Sequence, residues 1–209
     1  MLAAFGESGG GGSVETSHKP ILVLRGKTIV VGDPYVGKSA LCQMFYSSGA
    51  SYPKAYSMTV GADVTAKKVT IPDSTTQVEL FLHDCGGQPI LHQREWSSKF
   101  WENANLLVCV YDVANRESFT SCSRWVQRVQ EVTRRALPGV LVANKADLRA
   151  AGRGVVDEKE GRTLAKSLGL EYFETASEGE ISVDPPFHYL ADMYARSYEE
   201  FIGKVAFNV

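Results

Sequence analysis

The chain has 209 residues, with 22 Lys plus Arg against 24 Asp plus Glu and a formal net charge of −2. That length suggests one domain, two being just possible, and the near-neutral charge argues against a surface built to neutralise phosphate backbones. At 44% hydrophobic and 22% charged residues, the chain has the balance of a globular protein rather than a disordered one.

Residues 1–20 contain five glycines, four of them in the run Gly9–Gly12, and close on Pro20. Such a stretch buries too little apolar surface to offset its ordering entropy, so it reads as a flexible Gly-rich tail, with residues 21–209 as the folded domain. It lacks the basic start and apolar core of a secretory signal, and Leu2 in place of glycine rules out N-myristoylation. Ile21–Val31 is apolar and β-branched and breaks at Gly32, which predicts a strand. Gly37–Phe45 reads as a helix start. Asp63–Ile71 and Gln77–Asp84 are strand-like runs joined by the polar turn Pro72–Thr76, which predicts an antiparallel hairpin.

Leu106–Asp112 and Gly139–Asn144 are continuous apolar runs, as expected of strands covered on both faces. Between them, Glu117–Arg134 carries helical spacing through Phe119, Cys122, Trp125, Val126 and Val129. Asp157–Leu168 is a further helix, with Asp157 and Glu160 set for a capping box and Gly169 as its stop. Glu171–Thr175 is a short last strand. The final helix has Asp184 as N-cap, Pro185 at its first helical position, and an apolar stripe through Phe187, Leu190, Ala191, Tyr194, Tyr198 and Phe201.

Alternating strands and helices imply an α/β fold with a mainly parallel sheet covered on both faces, whose ligands sit outside the carboxyl ends of the strands. The longest apolar runs, such as Leu106–Tyr111, fall well short of the roughly 20 residues a membrane helix needs. Cys42, Cys85, Cys109 and Cys122 contain no CxxC pair, and they read as reduced thiols in a cytosolic protein.

Three motifs carry chemistry. Gly32-Asp33-Pro34-Tyr35-Val36-Gly37-Lys38-Ser39 fits G-x-x-x-x-G-K-[ST], after a predicted strand and before a predicted helix. Its glycines let the backbone wrap close to phosphates, and successive amides and the helix start face the anion. Lys38 adds a charge at the outer phosphates, and the Ser39 hydroxyl suits Mg²⁺. The second motif, Asp84-Cys85-Gly86-Gly87-Gln88, ends a strand. There a carboxylate can hold Mg²⁺ through water, a Gly87 amide can meet a γ-phosphate, and Gln88 can orient an attacking water as the catalytic residue. The third, Asn144-Lys145-Ala146-Asp147, follows a buried strand. Asp147 can accept from both N1–H and the 2-amino group of guanine, a donor pair adenine lacks. The last two patterns are weak alone. All three in this order at strand ends are a strong signal.

With these motifs the chain resembles a Ras-superfamily small GTPase of the Rab-like kind. The resemblance implies the P-loop small GTPase fold: a six-stranded, mostly parallel sheet with one antiparallel strand and helices on both faces. It implies GTP or GDP with Mg²⁺ as cofactors. It assigns the nucleotide to Tyr35, Val36, Gly37, Lys38, Ser39, Ala40, Tyr52, Thr59, Gly87, Asn144, Lys145, Asp147, Ala176 and Ser177, and the metal to Ser39, Thr59 and Asp84. In it Thr59, in Thr59–Asp63, binds the metal and the γ-phosphate, Tyr52 flanks the guanine, and Tyr56 can close over the phosphates. Ala176-Ser177-Glu178 stands where the family usually has Ser-Ala-Lys.

Within the superfamily, Val78–Phe81, Leu137–Val142 and Pro186–Ala191 resemble the Rab-like GTPases of ciliary transport complex B. That likeness implies a heterodimer with intraflagellar transport protein 25, membership of complex B, and residence in cilium or flagellum and cytoplasm. The C-terminus Ala206-Phe207-Asn208-Val209 has no cysteine to prenylate, which agrees with this group and against a vesicle Rab.

The chain departs from the family pattern at Pro34-Tyr35, where Gly-Gly or Ser-Gly is usual, and at Pro89, where Glu is usual. Pro34 has no N–H and sets a ring beside the expected γ-phosphate, and Pro89 biases Gln88 toward extended geometry, which can pre-set it well or badly. Slow hydrolysis is what the family resemblance implies. Three readings stay open: a slow GTP switch, a structural subunit that keeps nucleotide as a fold ligand, and a non-prenylated Rab of vesicle traffic. Trp96 and Trp101 read as helix core or as a partner-sensing surface. Tyr189 and Met193 read as a second apolar face or as incidental exposure. His83 and His92 read as structural or exposed.

Overall fold

Strand and helix signals alternate along the sequence. The computed structural model, which describes residues 22–52, 57–87, 99–176 and 181–206, gathers them into one mixed sheet. The strands are β1 (Leu22–Val31), β2 (Ala62–Thr70), β3 (Thr76–Cys85), β4 (Leu106–Asp112), β5 (Gly139–Asn144) and β6 (Glu171–Glu174). Across the sheet they run β2-β3-β1-β4-β5-β6, with β2 antiparallel to β3 and the other neighbours parallel. The helices are α1 (Lys38–Tyr46), α2 (Arg116–Thr133), α3 (Asp147–Ala150), α4 (Glu158–Leu168) and α5 (Pro185–Ala206). This is the expected mostly parallel six-stranded sheet. The β2–β3 hairpin closes where the Ile71 amide donates to the Thr76 carbonyl at 3.0 Å, past Asp73 at φ 55°.

The period-2 alternation of the strands divides their side chains between two cores. Leu24 and Val30 of β1, with Leu106, Val108 and Val110 of β4, pack against Leu41 and Phe45 of α1 and Phe187 and Leu190 of α5. Ile29 and Val31, with Leu107, Cys109 and Tyr111, pack against Cys122, Trp125, Val126 and Val129 of α2 and Ala165 of α4. β4 and β5 are apolar up to their last residues, Asp112 and Asn144, because both faces are covered. Each large side chain so buried stabilises the fold by about 1.5–3 kcal/mol.

Local signals set most element ends. The Asn115 side chain accepts from the Glu117 and Ser118 amides and starts α2. The capping box of Asp157 and Glu160 forms at α4, and Gly169 stops it at φ 68°. The four cysteines are free and buried. Trp101, 2% exposed, belongs to the core, and Tyr189, 37% exposed, leans on Phe173 with ring centroids 5.5 Å apart.

Two features differ from expectation. The short helix α3 follows directly on Asn144–Ala146, where no helix is predicted. The apolar stripe of α5 is buried only as far as Ala195, whereas Tyr198 and Phe201 are 37% and 62% exposed. The stripe keeps its helical period after the helix has passed the packed core, and period alone cannot mark that point. Among the described residues no helix is long and apolar enough to cross a membrane. The expected tail, Tyr56, Gln88, Pro89, His92, Trp96, Ser177 and Glu178 lie outside the described residues.

Candidate functional site

β1 lies between β3 and β4, so the chain connections leave it toward opposite sides of the sheet, and a crevice forms at its carboxyl end. Residues 32–37 fill this point between β1 and α1. Gly37 has φ 95°, and a Cβ there would lie 2.4 Å from Asn144 Nδ2, so both the backbone and the close approach need glycine. Tyr35, at φ 65°, holds a left-handed conformation that non-glycine residues rarely adopt, a form of local strain typical of binding sites.

The Asn144 side chain, 1% exposed, fastens this loop from behind. Its Nδ2 donates to the Val36 carbonyl at 2.8 Å, and its Oδ1 accepts from Thr175 Oγ1 at 3.0 Å. Lys145 Nζ donates to the Tyr35 carbonyl at 2.8 Å and to Asp112 Oδ2 at 2.6 Å. Two motifs that are distant in sequence thus become one structure at the ends of β1, β4 and β5.

Lys38 is buried, and its Nζ donates to the Gly32 and Asp33 carbonyls, each at 2.9 Å. Burial pulls the Lys38 pKa down, against the opposing pull of the Asp84 charge. Ser39 Oγ donates to Asp84 Oδ2 at 2.5 Å, Thr59 Oγ1 donates to the same oxygen at 3.2 Å, and the two hydroxyls lie 3.2 Å apart. Asp84 is 4% exposed and its Oδ1 has no hydrogen-bond partner among the described residues. Burial raises its pKa, while the Ser39 hydrogen bond and the Lys38 charge oppose the rise.

A buried carboxylate with one unpaired oxygen, beside two hydroxyls, is a hard-oxygen donor set, and these three residues fit Mg²⁺. No cluster of three His, Cys, Asp or Glu offers another metal site among the described residues. Gly87 completes the wall. A Cβ there would lie 2.5 Å from the Pro34 nitrogen and 2.7 Å from Lys38 Nζ, so only glycine lets the segment after β3 lie on the loop.

Together these residues line a cleft of about 630 Å³, within the range of roughly 300–1,000 Å³ usual for small-ligand sites. Pro34, Tyr35, Gly37, Lys38, Ser39, Ala40, Tyr52, Thr59, Gly87 and Lys145 are among its lining. Val36, Asn144 and Ala176 are buried. Asp147 opens α3, just beyond Lys145. The Ala146 amide donates to the Thr175 carbonyl at 3.0 Å, which brings Asn144–Asp147 and Thr175-Ala176 together. Arg149 donates to the Val156 carbonyl at 2.8 Å and pairs with Glu174, fastening α3 to β6.

Sequence reasoning missed Asp112 and Thr175. Asp112 ends a buried strand just as Asp84 and Asn144 do, so the same strand-end signal was available for it. It also missed Asp33, whose Oδ1 accepts from the Trp125 indole at 2.7 Å. No local pattern marks that pair.

Residues 27–196 match the Ras family. The chain is 44% identical over 178 residues to the intraflagellar transport protein 27 homolog of Bos taurus, an alignment spanning 85% of this chain and 94% of that protein. Identity and coverage are the same with the homolog of Homo sapiens. With intraflagellar transport protein 27 of Chlamydomonas reinhardtii it is 38% identical over 197 residues, 91% of this chain and 95% of that protein.

Proposed function

We propose, because the chain belongs to the Ras family of small GTPases and within it to the intraflagellar transport protein 27 homologues, that it is a Rab-like guanine-nucleotide switch acting in intraflagellar transport. The observation that carries this reading is the convergence of Ser39, Thr59 and Asp84 within 2.5–3.2 Å of one another, beside the buried Lys38. Three segments far apart in sequence bring two hydroxyls and a half-satisfied carboxylate to the mouth of a phosphate-type loop. A fold with no ligand to hold there has little reason to bury that carboxylate.

The residues divide the work. The amides of Tyr35–Ala40 and the Lys38 ammonium grip the phosphates of GTP or GDP. Ser39, Thr59 and Asp84 hold Mg²⁺, which when bound neutralises phosphate charge. Asp147 reads guanine, Asn144 and Lys145 hold the phosphate loop against the base side, and Tyr52, Ala176 and Ser177 complete the base surround. Thr59 lies outside any helix or strand, on the segment leading into β2, so its bond to Asp84 can be made or released without disturbing the sheet.

Gln88 orients the attacking water. Hydrolysis is slow, because Pro34 offers no N–H and Gly87 is pressed against it. The same reading includes a heterodimer with intraflagellar transport protein 25, a place in complex B, and residence in cilium or flagellum and cytoplasm.

Calorimetric titration of the nucleotide-stripped full chain tests the reading. GDP with Mg²⁺ is expected to bind tightly and ATP not at all. Indifference to GDP would overturn it.

A further inference from the structure

The tryptophans of the α2 side sit on two parts of the site at once. Trp125 of α2 is 7% exposed, and its Nε1–H donates to Asp33 Oδ1 at 2.7 Å, 92 residues away in sequence. The Asp33 carbonyl in turn accepts from Lys38 Nζ at 2.9 Å. Trp101, 2% exposed, donates its Nε1–H to Cys85 Sγ at 3.3 Å, and Cys85 directly follows Asp84. The two indoles meet edge to face with centroids 6.3 Å apart and planes at 70°. The Arg128 guanidinium lies 5.4 Å from the Trp125 ring and 5.7 Å from the Trp101 ring.

We infer that Trp125 is a positioning residue for the phosphate loop, and that Trp101 backs it so that the loop and the end of β3 share one aromatic support. An indole has a single N–H, and a buried one needs a partner. Here the partner is a side chain of the loop itself, with the short distance of a charge-assisted bond. Asp33 lies between Gly32 and Pro34. Holding its side chain therefore orients the two carbonyls that receive Lys38. Without the indole the loop keeps its residues but loses the contact that sets Asp33 from the helix side. Bound nucleotide is then released faster, because such losses act mainly on dissociation.

The inference rests on the nucleotide reading above, and the test separates the two. GDP release is measured by displacement of a fluorescent GDP analogue from the full chain with Mg²⁺, for wild type, Trp125→Phe, Asp33→Ala, the double variant and Arg128→Ala. Trp125→Phe keeps an aromatic ring but removes the donor, and with it part of the indole's packing volume. It is expected to speed release about tenfold, the loss typical of a bond to a charged group.

Asp33→Ala should match it, and the double variant should be no faster than either single one, since both remove the same bond. Arg128→Ala should release at the wild-type rate, because it takes away only the outer stacking partner. A role in packing alone would lower the melting temperature of these variants and leave release unchanged. Release by Trp125→Phe within twofold of wild type, or multiplied effects in the double variant, would overturn the positioning role. No analogue bound by wild type would overturn the nucleotide reading and this inference with it.

Discussion

Asp84 carries opposite demands. Buried and with Oδ1 unpaired, its charge is a cost to the metal-free chain, while in the proposed site the same carboxylate would hold Mg²⁺. Asp84→Asn keeps the shape and removes the charge. In EDTA it is expected to raise the melting temperature, at about 2–4 °C for each kcal/mol of relief in a domain of this size. In the same variant Mg²⁺ should no longer tighten GDP binding. A variant that melts lower than wild type in EDTA would show that the carboxylate is stabilising as it stands.

Asp147 allows a sharper test at the base. Asp147→Asn exchanges an acceptor for a donor, so preference for guanosine over xanthosine nucleotides should fall by at least about tenfold in competition binding. An unchanged ratio would remove Asp147 from base reading. Asp84 stands out as a candidate in the sequence because a carboxylate has few uses at the end of a buried strand, and Asp147 stands out only through the motif Asn144-Lys145-Ala146-Asp147 that follows one. Asp33 does not stand out. Its partner Trp125 lies on a helical apolar stripe, and a stripe shows which side chains are buried without saying what a buried N–H bonds to.

At the scale of elements, the strands are legible to within a residue or so, since continuous apolar runs such as Leu106–Asp112 have one explanation in a doubly covered sheet. Helix α4 is legible because the capping box and Gly169 mark both of its ends. Helix α5 is over-read. Its apolar period runs on to Phe201, but the core it serves ends near Ala195. The two halves should therefore respond differently to substitution. Leu190→Ala, at a fully buried position, is expected to cost about 2–5 kcal/mol in urea unfolding, because it leaves a cavity against Phe45 and Phe187. Phe201→Ser should change stability by no more than about 0.5 kcal/mol. Equal costs at the two positions would mean that the last turns of α5 are packed after all. Helix α3 escapes notice for the opposite reason: at four residues it has too few positions for a period to show, and it is held by Arg149 bonding to Val156 and Glu174.

At the scale of the whole molecule, the two cores lie on opposite faces of the sheet, and the site gathers loops from the carboxyl ends of β1, β3, β4 and β5. A ligand that ties those loops together should be felt by the fold as a unit. Mass action sets the size: GDP at a hundred times its dissociation constant adds about 2.7 kcal/mol, and chelating Mg²⁺ should take part of that away. Turnover is a separate property of the same assembly. Lys38, Ser39, Thr59 and Asp84 form the proposed phosphate and metal site, yet Pro34 brings a ring and no amide to its rim, and Gly87 lies against that ring's nitrogen. An unassisted GTPase of this type hydrolyses at roughly 10⁻⁴–10⁻³ per second, and an arginine supplied by another protein can add up to about 10⁵-fold. Nothing in the placement of Pro34 favours the faster regime. Single-turnover hydrolysis by the full chain alone should therefore stay in the slow range, long enough for the GTP state to persist while a partner is bound. A rate above about 0.1 per second would mean that the rim does not restrain catalysis and that the chain works as an enzyme first and a switch second.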